Sequence, residues 1–364
     1  MNTIRAQNQI QRFYLLDLLR GFASFAVLIW HYQHFFFDKC KLRPGFNREE
    51  QPGYFILKPF YEYGDLAVYL FFILSGFVFF SFYSNGIVRR SVSLKTFAWN
   101  RFSRLYPLHL LTLLLTASLQ FVYYQLFNSY FVYEHNDLKH FMLQLAFASY
   151  WGLQDGHSFN GPIWSVSIEV LLYALFFVFC KFVPLRPRYV AIMSLMGLAI
   201  GGIHVGAGIF CYFLGGLLYL LFDHQSTNSC FASSKLPAVG LCVAGIAFYP
   251  FTFMQHHHPK VYVACVTILP TFVYFLTWLQ VRSPESGKLW IGFGDLTYSS
   301  YLLHFPLQIV FHSLFLLYGI LNPTKTETLV IFILSTYTTS YLIYRIFELP
   351  VKHFLRKKLR QIAW

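Results

Sequence analysis

Residues 15–36 read LLDLLRGFASFAVLIWHYQHFF, a run long and apolar enough to cross a bilayer as one helix. Two ionisable side chains interrupt it, Arg20 and His31. Eleven residues separate them, about three helical turns plus 20°, so both leave the same face, about 16 Å apart along the axis. A central arginine costs roughly 2.5–3.5 kcal/mol to insert into hydrocarbon. A face carrying both groups is therefore buried in protein or lines a wet cavity, and it is a candidate functional site. Asp17, three residues before Arg20, offers that arginine a simple structural partner. The alignment with His31 argues for more than a structural pair, because a neutral imidazole is the usual general base near pH 7.

Working outward, the 364 residues are 56% hydrophobic and only 12% charged, against about 25% charged in soluble domains. The chain reads as an all-α integral membrane protein. The first apolar run is a retained span and not a signal peptide, since no small-residue cleavage site follows it. The net charge of +13 could suggest nucleic acid, but the basic residues cluster in alternate loops, as the positive-inside rule requires. No nucleic-acid partner is expected. The six cysteines include no CxxC pair, so neither a disulfide framework nor a zinc site is read, and no metal is expected.

Ten spans are expected, near 15–36, 65–84, 105–127, 163–182, 189–204, 207–222, 236–254, 261–280, 296–319 and 327–346, packed around a central cavity. The glycine-rich GGIHVGAG at 201–208 joins the fifth and sixth. The apolar stretch 138–152 is too short to cross and reads as re-entrant or interfacial. With both termini in the cytoplasm, 20 Lys and Arg fall on the cytoplasmic side against 8 outside, which together are all 28 in the chain; this bias sets the orientation. The whole chain, 1–364, reads as one transmembrane domain with its core at 13–350. A basic cytoplasmic tail at 351–364 would anchor on anionic lipid, and no extracytoplasmic esterase domain is expected.

Three further stretches carry polar chemistry. WNRFSRLYPLHLL, 99–111, sets Arg101 and Arg104 three apart at the cytoplasmic mouth of a span, a geometry suited to bidentate phosphate recognition and also to ordinary positive-inside flanking. Pro107 bends that span or opens its first turn. GPIWSVSIEVLLY, 161–173, places Glu169 about 9 Å into its span, the depth of His31 by the same helix rise. A carboxylate there must be protonated or paired, and a His–Glu pair would orient the imidazole. Trp164, Ser165 or Ser167 could equally hold it. GFGDLTYSSYLLHFP, 292–306, puts His304 in mid-span, most simply as a satisfied core histidine. Glu348, in the terminal FELP, is expected to pair with Arg345 or an arginine of another loop. His256, His257 and His258 read as a polar loop. In FFILSGFV, 71–78, Ser75 and Gly76 mark close helix packing, and no GxSxG elbow makes Ser75 a nucleophile.

Taken in order, LDLLRGFASFAVLIWH, FFILSGF, RFSRLYP, WSVSIEVLLY, YSSYLLHFP and FELP resemble the membrane-bound acyltransferase 3 family over residues 15–350. The resemblance implies an enzyme that moves an acyl group, commonly acetyl, from cytoplasmic acyl-CoA to a hydroxyl of a glycan or lipid-linked sugar, such as lipopolysaccharide O-antigen or exopolysaccharide, at the bacterial inner membrane. It implies that Arg20 and His31 are the essential pair, with Arg101, Arg104 and Glu169 assisting. In that scheme Arg20, Arg101 and Arg104 hold the phosphates of acetyl-CoA and His31, oriented by Glu169, is the base. Asn100 stands where the family usually has a second basic residue beside the first arginine, and the extra span of fused members is lacking. The rival is a proton-coupled secondary transporter or flippase, since intramembrane Arg, His and Glu also build proton relays. It predicts uptake into vesicles without consumption of CoA.

Overall fold

The computed structural model describes residues 12–200, 202–227 and 263–362. Among these, eight helices are long and apolar enough to cross a membrane. They match eight of the ten expected spans. The fifth expected span, 189–204, is the 14-residue helix Pro187–Ile200. The expected span 236–254 lies outside the described residues, as do His256, His257 and His258. The protein is thus a multi-pass all-α membrane protein.

The first helix, α1 (Tyr14–Tyr32), continues as a 3-10 turn to Phe36. A two-stranded hairpin follows, with Phe37 opposite Leu42; its turn needs positive φ at Lys39 and Cys40. After the short α2 (Tyr54–Tyr63) comes α3 (Leu66–Phe79), prolonged through a π turn to Val88. The longest helix, α4 (Leu94–Phe127), is started by Ser93, whose Oγ accepts the Thr96 N–H at 3.1 Å. At 34 residues it is about 51 Å long, well beyond the ~30 Å of hydrocarbon. Sequence placed this span's start at residue 105; the helix instead begins eleven residues earlier. Arg101 and Arg104 therefore ride on a projecting helical shaft, and Pro107 lies inside the helix, not in its first turn.

The stretch 138–152 holds only α5 (Leu138–Leu145), capped by Asp137, and does not span. Then follow α6 (Ile163–Phe182), α7 (Pro187–Ile200), α8 (Ala207–Thr227), α9 (Leu269–Arg282), α10 (Thr297–Tyr318) and α11 (Thr326–Ile343). A π turn at Tyr344–Glu348 leads directly into α12 (Leu349–Ile362). The basic tail is therefore a helix. It leans on the start of α4, where Trp99 Nε1 donates to the Leu355 carbonyl at 2.9 Å.

Large apolar residues such as Leu114, Phe121, Phe182 and Leu334 are exposed around the bundle, as lipid-facing residues must be. Inside, α3 and α8 touch backbone to backbone. A Cβ on Gly76 would strike the Tyr212 carbonyl, and one on Gly215 the Ile73 carbonyl, so only glycine permits this approach. Phe72, Phe77, Phe80, Phe176 and Phe213 fill the core around that seam.

Candidate active site

Arg20 and His31 mark two ends of one polar interior. At the arginine end, three cavities meet. The largest, about 430 Å³, is lined by Arg20, Ser75, Arg101, Arg104, Glu169 and Tyr173. A second, about 320 Å³, opens between Arg20, Arg104, Asp295, Glu348, Lys352 and Arg356. The third, about 60 Å³, runs past Glu169, Ser165 and Tyr298 to Tyr301. Arg20 and Arg104 line all three.

The arginines differ in how the protein holds them. Arg101 donates from Nη2 to Tyr83 Oη at 2.7 Å and lies over the Phe79 and Tyr83 rings, at 4.9 and 5.1 Å. Asp17 is claimed by Arg12 at 2.5 Å, which leaves it 4.0 Å from Arg20. The simple structural pairing of Arg20 with Asp17 is accordingly a loose one. Arg104, half-buried, makes no hydrogen bond or ion pair with any described residue. A cationic cavity wall with spare N–H donors is what an anionic phosphate needs.

Glu169 belongs to this end. It accepts hydrogen bonds from Ser75 Oγ at 2.6 Å and Tyr173 Oη at 2.5 Å, not from the neighbours 164, 165 or 167. The structure does not bring it to His31, as the matched depths suggested. The cause is the chain before α6. Tyr301 Oη donates to the Pro162 carbonyl at 2.9 Å, and Asn160 Nδ2 donates to the Leu302 carbonyl at 3.0 Å. The turn that opens α6 is thus sunk to the level of Tyr301, a helical turn short of His304. Counted from there, Glu169 lies roughly 15 Å from the histidine level at 1.5 Å per residue, which is the level of Arg20.

The partner His31 does have is His304. Both rings are buried and they stack, with centroids 4.8 Å apart and planes 27° apart. His304 Nδ1 donates to the Ser300 carbonyl at 3.1 Å, which fixes the tautomer and leaves Nε2 as a lone pair. That Nε2 and His31 Nδ1 are both buried without a hydrogen-bond partner, as is Asn160 Oδ1. His34 flanks the pair, its ring centroid 4.8 Å from His31. Gln308 ties the two together, accepting from His34 Nδ1 and donating to the His31 carbonyl. Sequence placed His304 in mid-span, either lining the same cavity or satisfied in the core; what it could not supply was the unpartnered Nε2. Glu348 takes no ion pair with Arg345. It is buried and accepts from Ser299 Oγ at 2.5 Å.

Among the described residues, His135, Asp137 and His140 form a group of metal-ligand type, its ligand atoms within 4.8 Å of one another. Both His140 nitrogens are already used: Nδ1 donates to Asp137 and Nε2 accepts the Asp155 N–H at 3.1 Å. The Asp137 carboxyl is held below its usual range, first by the His140 backbone N–H. The group sits at α5, away from the His31 pair. The four described cysteines are free.

Comparison with known proteins identifies the family. The profile of a family described as an acyltransferase domain, acyltransferase family 3, matches residues 13–345. The chain belongs to the membrane-bound acyltransferase 3 family. A curated relative, "Protein 2 in picA locus" of Rhizobium radiobacter, is 34% identical over 113 residues, 31% of this chain and 48% of that protein. The chain thus spans about half the length of that relative. No solved structure matches.

Proposed function

We propose that the protein is an O-acetyltransferase of the bacterial inner membrane, with acetyl-CoA as donor and a hydroxyl of a cell-surface glycan, such as lipopolysaccharide O-antigen or exopolysaccharide, as acceptor. The observation that carries this reading is the polarity of the interior: Arg20 at one end of α1, beside Arg101 and Arg104 of α4, and His31 at the other, stacked on His304 of α10. The excess of basic loops at the arginine end supports a cytoplasmic donor mouth.

In this reading Arg20, Arg101 and Arg104 bind the donor phosphates. Arg20 and His31 are about 16 Å apart by helix rise, a length comparable to an extended pantetheine arm, so the thioester lies near the histidines. Acceptor hydroxyl oxygen attacks the thioester carbonyl carbon as His31 takes its proton. The C–S bond then breaks, and the departing CoA sulfur is protonated. General-base help of this kind contributes about 10²–10⁴-fold. His304 keeps an acceptor nitrogen beside His31. Glu169 fits a positioning role here, buttressing the donor end through Ser75 and Tyr173.

The test is transfer of radiolabelled acetyl from acetyl-CoA to an envelope glycan preparation by the purified protein. The expected result is label in glycan, lost in His31→Ala while CoA binding persists. Undiminished transfer by a folded His31→Ala protein would remove His31 from the chemistry. Vesicle uptake of a solute without CoA release would favour a transporter.

A further inference from the structure

The cavity between α1, α10 and α12 is not needed to explain the three-arginine site, yet it is the more richly charged. Its wall carries Arg12, Arg20, Arg104, Lys352 and Arg356 against Asp17, Asp295 and Glu348. The acids are largely committed. Arg12 bonds Asp17 and also Asp295, the latter at 2.8 Å, and Glu348 is buried against Ser299. Lys352, by contrast, makes no hydrogen bond or ion pair with any described residue, and neither does Arg104. Lys352 and Arg104 repel each other across this cavity, with Glu348 acting on both, and an anion that joins them offsets that repulsion. Lys352 and Arg356 are four apart on α12, so they share a face, and the Trp99 bond to Leu355 holds that helix against α4. Both residues lie beyond 345, where the family match ends.

The two cavities share Arg20, Leu74, Val78, Phe82 and Arg104, so one ligand can enter both. A CoA thioester carries phosphate at two places: the diphosphate next to the pantetheine arm, and a monoester on the ribose 3′ carbon. We propose that Lys352, with Arg356, is a second phosphate subsite that takes the 3′-phosphate of the donor, while Arg20, Arg101 and Arg104 take the diphosphate. The proposal rests on the acyl-CoA reading above. Tyr298 and Tyr344, which also line this cavity, give the adenosine a flat apolar wall.

Phosphate chemistry at this place could also come from an anionic lipid headgroup. Calorimetric titration of the full chain in lipid-free detergent, with CoA and with 3′-dephospho-CoA, separates the two. Wild type should bind CoA roughly 10–100-fold more tightly than 3′-dephospho-CoA, since hydrogen bonds to a charged phosphate are among the strong ones. Lys352→Gln should erase most of that preference and leave the 3′-dephospho-CoA affinity unchanged, and Lys352→Arg should restore it. If Lys352→Gln leaves the preference intact, the subsite assignment is overturned. An additional arm with phosphatidylglycerol vesicles then assigns Lys352 to lipid if the variant loses vesicle binding alone. If neither nucleotide binds wild type, the acyl-CoA reading itself fails and takes this proposal with it.

Discussion

Replacing Arg104 with alanine separates donor binding from folding. Arg104 lines every cavity at the arginine end yet bonds to no described residue. Arg20 and Lys352, both cations, share its cavity wall. Its removal breaks no hydrogen bond, and the like-charge repulsion it relieves is offset by the attraction it loses to Glu169 and Glu348, so the unliganded protein should unfold close to the wild-type temperature. The donor is affected differently. A hydrogen bond to a charged group contributes ~1.5–3 kcal/mol, so the variant should bind CoA about 10–150-fold more weakly. Linkage turns this into an assay. Ligand at 100 times its Kd stabilises a protein by ~2.7 kcal/mol; after a 100-fold loss of affinity the same concentration gives only about 0.4 kcal/mol. A thiol-reactive dye reads unfolding as a rise above the label on exposed Cys40, because Cys180, Cys211 and Cys265 are buried and free. The CoA-induced upward shift should be clear in wild type and nearly absent in Arg104→Ala. Arg101→Ala is the contrast. That side chain bonds Tyr83 and stacks on Phe79, so its loss should lower the unfolding temperature with and without CoA. The reasoning is refuted if Arg104→Ala keeps the full CoA shift, or if it lowers the unliganded unfolding temperature as far as Arg101→Ala does.

Glu169→Gln should leave the histidine limb of the pH–rate profile in place and change KM for acetyl-CoA, because Glu169 sits with Ser75 and Tyr173 at the arginine end; a displaced limb in transfer assays from pH 5 to 9 would return it to His31. Gly76→Ala should cost about 1–3 kcal/mol as an overpacked seam, since its methyl meets the Tyr212 carbonyl on a neighbouring helix; the thiol-dye unfolding temperature should fall, and an unchanged one would mean α3 and α8 are not in backbone contact. Asp137, whose carboxyl is held below the usual value of 3.8 by the His140 N–H, stabilises the α5 turn while ionised. That contribution is complete above about pH 4 and is lost as pH falls through the lower folded value. Hydrogen exchange at the His140 amide should therefore show more frequent opening at pH 3 than at pH 6 after correction for intrinsic rates, and Asp137→Ala should open it at both.

What sequence made legible here was what a single helix determines. Arg20 and His31 share a face because eleven residues close about three turns, whatever else the chain does. The apolar runs became helices because lipid leaves the backbone no other partner. The misplacements all arise where one segment's position depends on another. Depth counting assumed that the α6 span starts at a membrane surface, whereas Asn160 and Pro162 are drawn inward to α10 by Leu302 and Tyr301. That single offset carries Glu169 from the histidines to the arginines. His304 looked like a satisfied core residue because its Nδ1 bond to Ser300 is local, while what surrounds Nε2, the stacked His31 ring and no hydrogen-bond donor, is tertiary. Lys352 looked like part of a lipid anchor because the π turn at Tyr344–Glu348, which carries α12 back onto α4, has no sequence signature of its own. Tyr301 stands at another such junction. It closes the narrow cavity that leaves Arg104, its ring centroid is 6.0 Å from that of His304, and its hydroxyl is bound to both Ser165 and Pro162. On the proposed reading, Tyr301 lies between the thioester's seat at the arginines and the histidines. The residue that sinks the start of α6 is thus also the boundary between the donor end and the chemical end.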